Sequence, residues 1–302
     1  MNFRKKARRF LEYAAVRLMA LVLLFLPRPM KRLVGRMLGS IAFHAFFLAG
    51  RRRILLDNLR AAYPEEDEKS LRETGKRCFQ HLGRLLIEVL LQKPDVRAII
   101  SSVEIEGWGY LQRVALAGKG YFLASGHFGN WELVAHLQAA LGYPLLMVTR
   151  PLDNPRLETY FAKKRENTGN TVVHKRDAVR VMARGLRDGK GIAFLVDQHY
   201  GEKGRVLVPF FGRQAATTPV MGRLAADLDV PVLPVFAFPL DRGRYKIVYG
   251  PPIDAPSSRD RKADGLAVTV EMTHRLEEAV RKKREAWWWV HRRWREEAEG
   301  EE

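Results

Sequence analysis

An α/β fold, with a mostly parallel or mixed central sheet flanked by helices and an N-terminal hydrophobic helical membrane anchor, is predicted by two features of the sequence. From Val103 onward, short apolar runs alternate with stretches of helical spacing. Strands that alternate with helices form largely parallel sheets covered on both faces. Before that point, basic residues are interleaved with long apolar runs. The 302 residues, 47% of them hydrophobic, suffice for one large domain with an appended segment.

The first fifty residues combine positive charge with apolar character. Residues 1–53 contain thirteen Lys and Arg against one acid, Glu12, and so carry +12 of the net charge of +18. Nucleic acid would explain this charge but not the uninterrupted apolar run at 18–26, whereas an anionic membrane surface explains both. We therefore expect residues 1–50 to be a membrane anchor and 51–302 to form the α/β domain.

The way in which the anchor meets the membrane stays open between two alternatives. The apolar run at 11–26 is interrupted by Arg17 and is shorter than the roughly 20 residues of a full span. A short or tilted transmembrane helix and a helix lying in the headgroup layer both fit. A cleaved signal peptide is disfavoured because 27–32 offers no small-residue cleavage site.

The domain itself is predicted to begin with a helical lead-in, 51–100, and to end in an aromatic-basic segment, 285–295. Between them, β-like runs are predicted at 121–125, 145–149, 171–173, 192–196, 232–238 and 245–249. Helices are predicted near 130–141, 155–168, 176–188, 218–228 and 263–284.

The most informative stretch is Gly126-His127-Phe128-Gly129-Asn130-Trp131-Glu132, between the strand at 121–125 and the next helix. Its histidine and carboxylate, five residues apart, lie on a strand-to-helix turn, and parallel sheets bind ligands at such strand ends. A base with an orienting acid, and no nearby nucleophile, suits proton removal from a substrate hydroxyl. This arrangement indicates acyl transfer to an alcohol.

Other kinds of site find little support in the sequence. His127 and Glu132 do not share the helical i,i+4 spacing of a zinc-binding His-Glu-x-x-His motif. The glycines of the turn lack the Lys-Ser/Thr that completes a phosphate-binding loop. The single cysteine, Cys78, excludes intrachain disulfides and fits core packing better than nucleophilic catalysis. We expect no metal.

Polar residues also follow later strands. Arg150 comes directly after one strand and Arg165 lies one helix later; arginines so placed bind phosphate through forked hydrogen bonds, although a solvated helix face is the alternative. Asp197 and Gln198 follow another strand on the same side of the sheet as His127. They either cap a loop or face a ligand.

Two apolar segments allow more than one interpretation. Val208-Pro209-Phe210-Phe211-Gly212 fits the wall of an acyl-chain groove, or simply the approach to a helix capped by Thr217 or Thr218 with Pro219 first. Trp287 to Trp294 is rich in tryptophan and arginine, which suits a lipid headgroup interface, a docking surface or a packed terminal helix.

In order and spacing these motifs resemble the late (secondary) acyltransferases of lipid A biosynthesis, of the lauroyl and myristoyl type, within the wider glycerolipid acyltransferase group that shares a His-x4-Asp/Glu motif. The resemblance extends from about 120 to 295 and includes the basic apolar start. It departs from the family in an unusually basic N-terminus, a third tryptophan at Trp287 and an acidic tail at 296–302. It is carried by Gly126–Glu132, Arg150–Pro155, Asp197-Gln198, Val208–Gly212 and Trp289–Trp294.

The resemblance implies an acyl thioester on acyl carrier protein as donor, a hydroxyl of a lipid A precursor as acceptor, and no cofactor. The protein would work at the cytoplasmic face of the bacterial inner membrane, in contact with its lipids. His127 would take the acceptor's proton, while Glu132 would fix the imidazole and stabilise its cation. The predicted substrate-binding residues also include Gly126 and Asn130. Arg150 and Arg165 would hold acceptor phosphates, and Asp197 and Gln198 would line the pocket.

Two alternatives remain. The same chemistry would serve another glycolipid, such as a phosphatidylinositol mannoside, with acyl-CoA as donor. A non-catalytic basic protein that binds membranes or nucleic acid would instead show salt-sensitive binding to anionic polymers and indifference to His127. Because this second alternative leaves the motif unexplained, we expect no nucleic-acid partner.

Overall fold

The structure, a computed structural model, describes residues 3–174, 177–201 and 204–294. Its centre is a seven-stranded sheet with the strand order β1-β9-β8-β2-β5-β3-β4, beside a separate two-stranded hairpin, β6-β7. The strands are β1 Val103–Glu106, β2 Tyr121–Ser125, β3 Leu145–Thr149, β4 Thr171–His174, β5 Gly191–Leu195, β6 Val206–Phe210, β7 Arg213–Thr217, β8 Val232–Pro239 and β9 Tyr245–Tyr249.

Helices cover the sheet and precede it. They are α1 Phe3–Leu24, α2 Arg28–His44, α3 Ala49–Ala62, α4 Glu68–Leu91, α5 Val96–Ser101, α6 Trp108–Leu116, α7 Trp131–Ala140, α8 Pro155–Glu166, α9 Ala178–Arg187, α10 Val220–Leu228 and α11 Arg261–Lys282. All neighbouring strands of the large sheet are parallel except β8 and β9. The predicted α/β class with a mixed sheet between helices is confirmed.

The central strand β2 shows why the sheet is buried on both faces. All five of its residues are buried, and successive side chains point to opposite faces. Tyr121 and Leu123 pack in one hydrophobic core with α6 and α7. Phe122 and Ala124 pack in a second core with α10 and α11. Because β2 is also the fourth of the seven strands, its carboxyl end lies near the middle of the sheet.

All six predicted strands are present, and each begins and ends within one residue of its predicted bounds. The sequence did not reveal β1 or the β6-β7 hairpin. The expected helix cap at Thr217 or Thr218 was wrong, because Thr217 closes β7 and α10 begins at Val220 with Pro219 as its N-cap. Pro209 within β6 conceals the alternation that would have indicated a hairpin. The acidic tail at 296–302 lies outside the described residues.

The N-terminal helices pack on α4. Helices α2 and α4 approach so closely that a Cβ at Gly39 would lie 2.1 Å from the carbonyl oxygen of Phe79, and one at Gly83 would lie 2.2 Å from that of Gly35. Helix α1 adds Ala20 and Leu23 to a small core against α4. These glycines thus allow the backbones of the two helices to come into direct contact.

Much of the apolar surface of this N-terminal part is exposed. Phe46 and Phe47, between α2 and α3, are 93% and 84% exposed, and α1 and α2 present further apolar side chains. Judged by length and composition within the described ranges, no single helix could cross a membrane, whereas one pair bent by 78°, Arg28–His44 with Phe46–Ala62, could.

Candidate active site

Two neighbouring strands place a histidine beside a carboxylate. Strands β2 and β5 run parallel with Ser125 opposite Leu195, and the backbone N–H of Val196 donates to the Ser125 carbonyl at 3.0 Å. Residues two positions beyond that pair leave the sheet side by side. They are His127 and Asp197.

Both oxygens of the Asp197 carboxylate are engaged around His127. Oδ1 accepts from His127 Nδ1 at 2.8 Å, and Oδ2 accepts from the backbone N–H of His127 at 2.7 Å and from Nε1 of Trp287 at 2.8 Å. Asp197 is fully buried, while the His127 side chain keeps 17% of its surface exposed. Because a carboxylate only accepts hydrogen bonds, Nδ1 carries the imidazole proton. Nε2 of the neutral ring is then an acceptor.

The electrostatics of this pair favour an ionised carboxylate and a strengthened base. Burial alone would raise the pKa of Asp197, but the charge and hydrogen bonds of His127 lower it well below its usual range. Burial would likewise lower the pKa of His127, yet the Asp197 carboxylate, with a smaller contribution from Glu132, raises it above the ordinary value. The imidazole is therefore better suited to accept a proton than a free histidine.

The turn that carries His127 is fixed by its own residues. Gly129 has φ +58°, and a Cβ there would lie 1.6 Å from the carbonyl oxygen of Ala237, so only glycine fits. The Asn130 side chain accepts from the backbone N–H of Leu133 at 2.9 Å and thereby caps α7. Gly126 and Asn130 are both buried. Asn130 thus holds the turn, and its side chain is occupied in doing so.

The carboxylate beside the imidazole is Asp197, and not Glu132 as expected from the sequence. Glu132 lies in the first turn of α7 and forms a forked pair with Arg165 of α8, with Oε2 accepting from Nε at 2.9 Å and Oε1 from an Nη at 2.7 Å. Its influence on His127 is through charge. The same pair occupies the Arg165 guanidinium, which was expected to hold an acceptor phosphate.

The remaining predicted residues are more scattered. Arg150, after β3, and Gln198, after β5, are exposed, and Asp197 lies behind the imidazole instead of lining a pocket. Among the described residues, no group of three or more His, Cys, Asp or Glu could hold a metal ion. The structure gathers Gly126, His127, Asn130, Glu132, Arg165 and Asp197 around one turn.

The C-terminal segment completes this site, which the sequence did not indicate. The backbone of 286–288 pairs with that of 127–129: Gly129 N–H donates to Ala286 at 2.9 Å and Trp288 N–H donates to His127 at 3.0 Å. The ring of Trp288 lies 6.3 Å from that of His127, and the ring of Trp131 lies 4.9 Å from it on the turn itself. Two indoles therefore border the imidazole.

The tryptophan cluster is neither the exposed interface nor the terminal helix considered above. Trp287 and Trp289 are fully buried in an extended segment that follows α11. Phe210 and Phe211 of the β6-β7 hairpin pack on them, with ring centroids 5.3 Å apart for Phe210 and Trp287. The segment at 208–212, for which the wall of an acyl-chain groove was one interpretation, thus contributes Phe210 and Phe211 to the core. The signal in the sequence, three successive tryptophans, gave no indication of this partner.

A buried arginine holds the end of the segment in place. Arg293 donates to the Ala216 carbonyl at 2.9 Å and to Thr217 Oγ1 at 2.7 Å. Burial lowers its pKa to about 10, against the opposing effect of Asp197. His291 lies with Nε2 2.8 Å from the backbone oxygen of Asp197. The C-terminal segment is therefore hydrogen-bonded both to the β6-β7 hairpin and to the residue that holds His127.

The Glu132–Arg165 pair should behave as a coupled unit in unfolding experiments. We expect Glu132→Gln and Arg165→Gln each to lower the free energy of unfolding, and the double variant to lower it by less than the sum, with a coupling of about 1–3 kcal/mol. The pair is largely buried, so solvent screens it little. Denaturant unfolding of the four proteins measures the coupling.

The exposed pair Lys119–Asp229 provides a matched control. Lys119→Gln and Asp229→Asn should show much weaker coupling, because solvent screens an exposed pair. Equal coupling in both cycles would mean that the Glu132–Arg165 pair contributes nothing beyond an ordinary surface contact.

The α/β fold thus presents an imidazole held by a buried carboxylate at the end of a central strand, an arrangement suited to accepting a proton. Residues 1–296 match the family model described as bacterial lipid A biosynthesis acyltransferase. The chain belongs to this family, and it is an acyltransferase of lipid A biosynthesis.

Curated relatives support the assignment. The chain is 28% identical over 281 residues to a lipid A biosynthesis lauroyltransferase of Escherichia coli, covering 91% of this chain and 88% of the relative. It is 27% identical over 286 residues to a lipid A biosynthesis palmitoleoyltransferase of the same organism, with the same two coverages. A 1-acyl-sn-glycerophosphate acyltransferase structure from Thermotoga maritima shares 15% identity, covering 80% of this chain and 96% of that one, with a TM-score of 0.37.

Proposed function

We propose that this protein transfers a fatty acyl chain from a thioester on acyl carrier protein to a hydroxyl of a lipid A precursor. The observation that carries the proposal is the His127–Asp197 pair, in which the carboxylate fixes the proton on Nδ1 and leaves Nε2 to act as a base. Membership of the lipid A acyltransferase family supports the choice of acceptor.

The proposed reaction is a direct transfer with His127 as the proton carrier. Nε2 removes the proton of the acceptor hydroxyl as its oxygen attacks the thioester carbonyl. The tetrahedral intermediate then collapses, the carbon–sulfur bond breaks, and the imidazolium returns the proton to the leaving thiolate. An ester and a free thiol are formed, and the thioester supplies the driving force.

Charge stabilisation at each stage is assigned to residues around the turn. Asp197 and, at longer range, Glu132 stabilise the imidazolium. The first-turn N–H groups of α7, at Trp131 and Glu132, are donors that a helix leaves without intrahelical acceptors, and we assign the developing oxyanion to them. The ion pair between Glu132 and Arg165 links this first turn of α7 to helix α8.

The N-terminal part supports attachment to the cytoplasmic face of the inner membrane. Basic residues along α1 and α2 accompany the exposed apolar side chains of both helices and of 46–47, a combination that suits an anionic bilayer surface. Acyl carrier protein is acidic, so the basic surface also suits its docking.

Reconstitution tests the proposal. Purified protein is given thioesters of several chain lengths on acyl carrier protein or coenzyme A, with the tetraacylated, sugar-extended lipid A precursor or a phosphatidylinositol mannoside as acceptor. We expect mass spectrometry to show one added acyl chain on the precursor with the carrier-protein donor. Transfer only from coenzyme A, or only to the mannoside, would contradict the proposed substrates.

A further inference from the structure

A basic cleft opens beside the catalytic turn, between α2, α4 and the β8-β9 turn. Three adjoining cavities of about 300, 790 and 240 Å³ share the lining residues Arg242 and Gly243. The basic residues that line this cleft are Arg28, Lys31, Arg32, Arg36, Arg84, Arg242 and Arg244. Neither Arg150 nor Arg165, the two residues expected to hold acceptor phosphates, lines it.

The positive charge of the cleft is poorly compensated. Its acidic lining residues are Glu88 and Asp241, and Arg244 is paired with Glu104 at 3.2 Å. By contrast, five arginines of the cleft make no hydrogen bond or ion pair within the described part of the chain. They are Arg28, Arg32, Arg36, Arg84 and Arg242. Guanidinium groups gathered around a cavity match the oxygens of a phosphate group.

Glu88 does little to cancel this charge. Its Oε2 accepts from the Tyr245 hydroxyl at 2.6 Å and from Asn130 Nδ2 at 3.0 Å. Burial raises the pKa of Glu88 despite those two hydrogen bonds and the nearby Arg84 and Arg32. The carboxyl group is thus directed toward the protein interior and weakened as a counter-ion.

The cleft is joined to the catalytic turn by two contacts. Glu88 bonds Asn130, which caps α7 three residues after His127. His81, another lining residue, lies with Nε2 3.4 Å from the carbonyl oxygen of Gly129. Strand β8 neighbours β2 in parallel, so the β8-β9 turn leaves the same edge of the sheet as His127. Residues that line the cleft therefore contact the turn that carries His127.

An apolar stripe runs from the cleft along α2. Leu33, which lines the first cavity, is followed at helical spacing by Met37 and Ile41, and all three are largely exposed. Arg32 and Arg36 flank the stripe with the same four-residue spacing. Charge at one end and an apolar track at the other match an amphipathic lipid with a phosphorylated head.

We propose that this basic cleft binds a phosphate monoester on the head of the glycolipid acceptor, whose acyl chains lie along the Leu33–Met37–Ile41 stripe; the inference rests on the proposed function. The cleft thus supplies the phosphate recognition for which Arg165, held by Glu132, is not available. Binding at the cleft brings the acceptor's sugar hydroxyls toward His127.

A binding experiment in the His127→Ala background separates recognition from chemistry. The precursor in neutral detergent micelles, intact or with its phosphates removed by a phosphatase, is titrated against the protein. We expect the intact lipid to bind at least 10-fold more tightly than the dephosphorylated one. Arg32→Gln with Arg84→Gln should weaken binding of the intact lipid by about 10- to 100-fold, and leave the dephosphorylated lipid unaffected.

Two control pairs keep the result interpretable. Arg180→Gln with Arg184→Gln, on the exposed face of α9, removes the same charge elsewhere and should leave the affinity within 2-fold. Arg36→Gln with Arg242→Gln changes exposed residues of the cleft, so it tests the site without disturbing buried packing if the first pair unfolds.

The outcomes decide the proposal. Unchanged affinity in both cleft pairs, or equal losses in the α9 pair, would overturn it. Inorganic phosphate or phosphatidylglycerol micelles binding as tightly, with the same sensitivity, would assign the cleft to free phosphate or bulk lipid and also overturn it. Cleft-dependent binding by a wild-type protein that transfers no acyl chain would overturn the proposed function while leaving the cleft as inferred.

Discussion

Replacing His127 by alanine should lower the rate of acyl transfer by about 10²- to 10⁴-fold, the usual contribution of a positioned general base. The acceptor hydroxyl would then have to lose its proton to water while it attacks the thioester. The loss should appear in kcat, since His127 takes part in the reaction itself and the basic cleft and the apolar surface of α2 are unchanged. Initial rates of product formation by the purified protein measure it.

A matched histidine separates loss of chemistry from loss of structure. His274 on α11 is exposed, so His274→Ala should retain the wild-type rate. Both variants should unfold within a few degrees of the wild type and associate with lipid vesicles equally well. A purified His127→Ala protein that kept most of its activity would refute the role assigned to this imidazole.

The strand, turn and helix that carry the candidate site were predictable because their signal is local. An apolar strand, a glycine-flanked histidine and a helix are adjacent in the sequence between 121 and 140, and each element forms as its pattern indicates. The alternation of strands and helices fixed the class of fold for the same reason. Patterns confined to fewer than twenty residues predict local structure without knowledge of the fold.

The partner of the imidazole was not predictable by that route. Strand β5 follows β3 and β4 in the chain but inserts between β2 and β3 in the sheet, and this insertion brings Asp197 beside His127. Glu132, closer in sequence, turns toward Arg165 instead. Sequence proximity therefore favoured the wrong carboxylate, although Asp197 had been singled out because it follows a strand at the same edge.

The C-terminal segment shows a second limit of the same kind. Trp287 is 90 residues from Asp197 in sequence, and its indole N–H donates to that carboxylate in the structure. A tryptophan-rich, basic stretch is equally typical of membrane interfaces and of buried packing. Only the fold distinguishes these, because the hairpin β6-β7, which the sequence did not indicate, supplies the surface that buries it.

Replacing Asp197 by asparagine should lower activity at least as much as removing His127, by about 10⁴-fold. Two N–H donors, from the His127 backbone and Trp287, meet at Oδ2, so the asparagine carbonyl oxygen has to occupy that position. Its amide NH₂ then takes the place of Oδ1 and donates to Nδ1 of the imidazole. The ring is forced into the tautomer with the proton on Nε2, which cannot accept one from the substrate.

The pH dependence distinguishes this tautomer effect from a simple change in basicity. Because Asp197 raises the pKa of His127, wild-type kcat/KM should increase with pH through that raised value as the imidazole becomes neutral. The variant's histidine has a lower pKa and is neutral across the same range, yet a wrong tautomer keeps its rate low at every pH. Recovery of wild-type rates by Asp197→Asn at any pH would show that the carboxylate acts only through charge, and that orientation of the imidazole is set elsewhere.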